Sequence, residues 1–117
     1  MNRLPNRPAR LFAATVLTAL ASTGGASMAA PAAVTVAIEN FTFSPAEVTV
    51  APGTTVTWVN HDDIPHVVAD TAKGFRSKVL DTDDSYSFTF SSTGSFDYFC
   101  SLHPHMTGKV VVATGAD

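Results

Sequence analysis

The chain has 117 residues, of which 45% are hydrophobic and 15% charged, and it carries a formal net charge of −3. That length suits one domain rather than two, the acidic balance argues against nucleic acid as a partner, and a single cysteine excludes an intrachain disulfide.

In chain order, Arg3, Arg7 and Arg10 precede an apolar run from Leu11 to Ala21, and small residues continue to Ala30. This is the layout of a secretory signal peptide. The run is 11 residues long, whereas a spanning helix needs about 20, so no permanent membrane anchor is expected. Ser27-Met28-Ala29 offers small residues where a signal peptidase reads them. The expectation is a leader over residues 1–29, a mature domain over 30–117 and export to the periplasm. The mature part keeps four basic side chains, Lys73, Arg76, Lys78 and Lys109, against ten acidic ones, a formal charge of −6. A cationic protein is the expected partner, and a monomer the expected state. So small a domain gains from an extra staple, and Cys100, unpaired in an oxidising compartment, invites metal ligation as its explanation.

From Val34 onward the hydrophobic period is two, and no segment reads as an amphipathic helix. Val34, Val36 and Ile38 share a face, Phe41 and Phe43 fall on the other parity, and a bend near Glu39-Asn40 is therefore expected before Pro45 ends the strand. Val48 and Val50 form the next strand. After the Ala51-Pro52-Gly53 turn, Val56 and Trp58 point inward from another. Asn60 to Pro65 reads as a polar loop with His61 on its surface. Strands are expected from His66 and over Phe75 to Leu80. The Asp81–Asp84 turn leads to Tyr86, Phe88 and Phe90 alternating with Ser85, Ser87 and Thr89. Ser95 to Cys100 and Lys109 to Ala113 close an all-β fold, a Greek-key β-sandwich of seven to eight strands. Phe96, Tyr98 and Cys100 share one face, so a core-facing Tyr98 carries Cys100 inward.

Cys100-Ser101-Leu102-His103-Pro104-His105-Met106 places a thiolate, an imidazole and a thioether three residues apart, on what reads as a tight loop. Two His and one Cys with a weak axial Met form the type 1 copper site of electron carriers, and His66, 34 residues before Cys100, supplies the second imidazole. Thiolate binds both copper states, imidazole accepts both, and Met106 is too weak to impose tetragonal geometry. One Cys and one Met point away from structural zinc. A thiol nucleophile needs a base and a cleft, and the Asp81–Asp84 turn lacks the glycine and distal glutamate of a calcium loop. With no coordination position left for a substrate, an enzyme is not expected.

On these residues, and on Val56-Thr57-Trp58-Val59-Asn60, Ile64-Pro65-His66, Gly94-Ser95-Phe96-Asp97-Tyr98 and Gly108-Lys109-Val110-Val111-Val112, the stretch from Val34 to Ala113 resembles the cupredoxins. The short C-x2-H-x2-M spacing is similar to the amicyanin branch. The resemblance implies copper cycling between Cu(II) and Cu(I) at one end of an eight-stranded sandwich. It also implies electron delivery from a periplasmic dehydrogenase, of the methylamine dehydrogenase kind, to a c-type cytochrome, with His103 as the surface edge among Ile64, Pro65, Leu102, Pro104 and His105. Two positions depart from the family pattern. Val67 stands where an Asn commonly ties the two ligand loops, so that tie is expected to be missing or replaced. His105 stands where an aromatic residue is common and reads as a solvated histidine beside His103. A periplasmic copper carrier or sequestering protein is the alternative function, and it would favour an exposed site rich in Met and His.

Overall fold

The structure, a computed structural model, describes residues 32–115. The expected leader over 1–29 and the last two residues lie outside them. Among the described residues no helix is long and apolar enough to cross a membrane, and eight strands build two sheets.

The first strand, β1 (Ala33–Glu39), buries Val36 and Ile38 and ends in a two-residue turn, Asn40-Phe41, before β2 (Thr42–Ser44) pairs back antiparallel with Glu39 opposite Thr42. The expected bend is therefore a hairpin. Both turn residues have positive φ, 54° and 58°, the geometry of a type I′ turn, which matches the right-handed twist of its strands. After Pro45 come β3 (Glu47–Val50) and β4 (Thr54–Asn60). The latter buries every second residue, Thr54, Val56, Trp58 and Asn60. It runs parallel to β1 and antiparallel to β6 (Ser85–Phe90). On the outer face the pairs Thr55–Thr89 and Thr57–Ser87 join their hydroxyls at 2.7 and 2.6 Å, a cross-strand contact that reinforces this register.

The second sheet is ordered β3-β8-β7-β5, with β5 (Ala69–Asp70) at one edge, then β7 (Gly94–Cys100) and β8 (His103–Val112) inside. The facing surfaces enclose an aromatic core. Trp58 stacks on Phe75 and Tyr86 at 5.9 and 5.8 Å and meets Tyr98 edge-on at 5.3 Å. Tyr98 and Cys100 are both buried, as the parity of their strand implied.

Two expectations are corrected. The strands anticipated from His66 and over Phe75 to Leu80 reduce to β5 and two isolated bridges, His66 with Leu80 and Ala69 with Arg76. Side chains take over the backbone groups here: Asp70 accepts from the N–H groups of Ala72 and Gly74, and Ser77 Oγ accepts from Val68 N–H. Such local bonds compete with a ladder. The last strand, expected from Lys109, begins at His103. Only Ser101 and Leu102 turn, because Cys100 pairs with His103 after a register shift at Phe99/Cys100. The segment from His103 to Met106 is thus strand rather than loop, and β8 lies inside its sheet.

Candidate metal centre

His66 follows a loop that Asn60 holds closed. The buried Asn60 amide donates to the carbonyls of Ile64 and Leu80 at 2.9 and 3.0 Å, and its Oδ1 accepts from Asp62 N–H. Leu80 in turn exchanges both backbone bonds with His66. His66 is 0% exposed, and a buried polar ring needs partners. Its Nε2 lies 2.8 Å from Asp62 Oδ2. An ionised carboxylate only accepts, so Nε2 is the donor, and the tautomer with its hydrogen on Nε2 is the one whose lone pair lies on Nδ1. That lone pair faces Cys100.

Asp62 is only 15% exposed, and burial alone would raise its pKa. The backbone N–H groups of Phe41 and Asn40 and the His66 ring outweigh that and hold the carboxyl below its usual range. The two N–H donors lie at 3.0 and 2.7 Å. Asp62 therefore joins the β1–β2 turn to His66.

Cys100 Sγ lies 3.7 Å from His66 Nδ1 and 3.6 Å from His103 Nδ1. Bonds of about 2.3 Å to thiolate and about 2.0 Å to imidazole, as zinc shows, put S and N about 3.7 Å apart at a trigonal angle of about 120°. The observed spacing is that of three ligands around one small ion, and the three donor atoms all fall within 4.8 Å of one another. Val67 N–H donates to Sγ at 3.3 Å, which fixes the position of the sulfur. Met106, three residues after His103, is buried in the same core cluster. His61 is exposed in its loop, and His105 is exposed as well, on β8 rather than in a loop.

The Val67 side chain is buried, and residue 67 reaches the Cys100 segment through its backbone N–H alone. Separately, Arg76 Nη2 donates to Ser101 Oγ at 3.0 Å, which joins the stretch after β5 to the turn after β7.

Two residues of this centre are not singled out by sequence alone. Asp62 sits in a segment that reads as a polar loop, although a carboxylate four positions before a candidate His ligand is a usable signal. Phe41 shows in the sequence only a parity. Its half-exposed ring stands edge-on to His66 and to His103, with centroids at 5.7 and 5.2 Å.

The fold and this donor set define a cupredoxin. Residues 30–113 match the family model described as copper binding proteins, plastocyanin/azurin family, and the chain belongs to that family. Copper is its cofactor. Within the class it is similar to amicyanin. Amicyanin of Paracoccus versutus is 45% identical over 86 residues, which cover 68% of this chain and 64% of that protein, so the chain spans just under two thirds of its length. The crystal structure of Paracoccus versutus amicyanin superposes with TM-score 0.65 at 44% identity, covering 69% of this chain and 81% of that one. A purple cupredoxin from Nitrosopumilus maritimus gives 0.65 at 31% identity, covering 68% and 99%.

An Asp62→Ala variant should bind copper about 10- to 100-fold more weakly than the parent, the usual cost of removing a group that orients a ligating imidazole. Competition with a chelator of known affinity measures this; unchanged affinity would mean that His66 is oriented by its buried walls alone.

Proposed function

We propose that the chain is a periplasmic type 1 blue copper electron carrier, in which His66, Cys100, His103 and Met106 would hold the ion. In this reading residues 1–29 are a cleaved leader and residues 30–117 the working domain. Copper, when bound, would supply one-electron chemistry between Cu(II) and Cu(I). The chain's own residues do the rest. Asp62 sets the His66 tautomer, the Val67 N–H fixes the position of the sulfur, and the two sheets hold the donors at fixed separation, so little rearranges as the electron arrives. The single observation that carries this reading is the 3.6–3.7 Å spacing of one sulfur and two Nδ1 atoms.

Docking falls to the surface around the partly exposed His103. Leu102 is 47% exposed there, and Pro65, Pro104 and His105 are exposed as well. An apolar surface of this kind suits brief contact with a redox enzyme that donates and a c-type cytochrome or similar carrier that accepts. Burial of Cys100 and His66 speaks against handing the metal itself to a partner.

The test is the visible spectrum of the exported protein after Cu(II) is added and again after reductant. An intense thiolate-to-copper band that bleaches and returns is the expected result. A colourless protein, or loosely held copper, would overturn the carrier reading.

A further inference from the structure

The β1–β2 turn breaks a local rule. A type I′ turn needs positive φ at both central residues, and its favoured sequence is Asn-Gly. Asn40 obeys that preference. Phe41, at φ 58°, places a bulky side chain where glycine is the natural occupant and where bulky residues are rare. Its ring is also 53% exposed, so burial of apolar surface does not account for it. Strain of this kind persists where the surroundings over-determine it, and it concentrates at functional sites.

The surroundings here all point to the metal centre. Phe41 N–H is held by Asp62 Oδ2, the same oxygen that lies 2.8 Å from His66 Nε2. The ring is nearly perpendicular to both candidate ligand imidazoles, at interplanar angles of 89° to His66 and 90° to His103. Those imidazoles are themselves 5.0 Å apart. Edge-to-face contact is a preferred aromatic arrangement, and one ring satisfies it toward two residues 37 positions apart in the chain. His66 is held by Asp62, whereas the hydrogen bonds of the described residues give the His103 ring only the sulfur of Cys100. Phe41 therefore provides the aromatic stop against which the His103 ring rests.

We propose that Phe41 is a positioning residue of this centre, a wedge that holds the His66 and His103 imidazoles at one mutual tilt whether or not the metal changes charge. The inference rests on the ligand reading above and adds to it a residue outside the C-x2-H-x2-M segment. Two consequences follow. The imidazoles keep their orientation without metal, and losing the ring loosens them although the turn itself improves.

Phe41→Gly separates these effects, because it restores Asn-Gly to the turn and removes the wedge. In the metal-free protein, nuclear magnetic resonance of the imidazole ring protons should show the His66 and His103 signals moving and broadening, while the melting temperature holds or rises. Phe41→Leu, which keeps apolar cover but no aromatic face, should move the same signals. In the copper-loaded protein the electron self-exchange rate should fall about tenfold in the glycine variant, with a changed reduction potential. Sharp, unmoved imidazole signals together with an unchanged potential would overturn the inference even if stability changed. If the parent protein shows no thiolate-to-copper band, the ligand reading fails instead, and the metal-free signals still report whether the wedge exists.

Discussion

A Cys100→Ser variant should lose the intense visible band completely and bind Cu(II) more than about a hundredfold more weakly, since even groups one shell further out carry about 10- to 100-fold. The reasoning is electronic rather than steric. A serine hydroxyl stays protonated where a thiol beside a metal gives up its proton, and it offers no soft donor to Cu(I). The fold should survive. Serine is close in size to cysteine, and Val67 N–H, now 3.3 Å from Sγ, would find an oxygen acceptor in its place. The metal-free protein should therefore change in stability by only about 1 kcal/mol. Absorption and chelator competition on one sample, with thermal unfolding of the metal-free protein on another, separate loss of the ligand from loss of the fold. A surviving intense band would assign the chromophore to some group other than Cys100.

The largest effect on the fold itself is expected from Gly108→Ala. Gly108 pairs directly with Tyr98 across β7 and β8, and the Tyr98 ring lies over it so closely that a Cβ at position 108 would overlap the ring. The requirement is for space rather than for an unusual φ. The ring has nowhere to retreat, because Phe43 at 4.8 Å and Trp58 at 5.3 Å pack edge-on against it. Overpacking of this kind costs about 1–3 kcal/mol and occasionally more. A well-enclosed ring belongs at the upper end, so a loss of about 3 kcal/mol and a fall in melting temperature of roughly 10–20 °C are expected. The hydroxyl adds to the constraint. Burial pushes Tyr98 up to about 12; the nearby Trp58 N–H offsets this slightly, although neither group finds a hydrogen-bond partner of good geometry among the described residues. Combining Gly108→Ala with Tyr98→Ala should recover much of the cost of the first substitution, because the two changes share one contact. Strict additivity would locate the strain elsewhere. Tyr98 stands two residues before Cys100 on the same face, so a displaced ring also disturbs the sulfur.

The strands with a clean alternation are legible in the amino-acid sequence. β4, β6 and β7 run within a residue or two of where their periodicity puts them, because alternating burial is a local property of a half-buried strand. The stretch from His66 to Leu80 is not legible in this way. Its backbone is satisfied partly by isolated bridges and partly by the side chains of Asp70 and Ser77 rather than by a continuous ladder, and composition does not distinguish a β-branched run in such a loop from one in a strand. The start of β8 is hidden for a related reason. The register shift next to Cys100 lets a segment rich in candidate ligand residues and containing Pro104 join the sheet, where Pro and His would ordinarily suggest a loop.

The chemistry divides along the same line. Covalent spacing alone sets how far Cys100, His103 and Met106 can lie from one another, so their soft, closely spaced donors point to copper from the chain in one dimension. His66 can be nominated by type but not by distance, since 34 residues separate it from Cys100. Asn60 and Leu80, closing the far loop, bring its Nδ1 to 3.7 Å from the sulfur. Asp62 and Phe41 join the centre only because β1 runs parallel to β4, with Ile38 opposite Asn60, which brings the Asn40-Phe41 turn beside the loop before His66. A parallel pairing between distant segments depends on how the two sheets bury their apolar faces together. Packing at that range, which local periodicity does not encode, decided which side chains surround the donors.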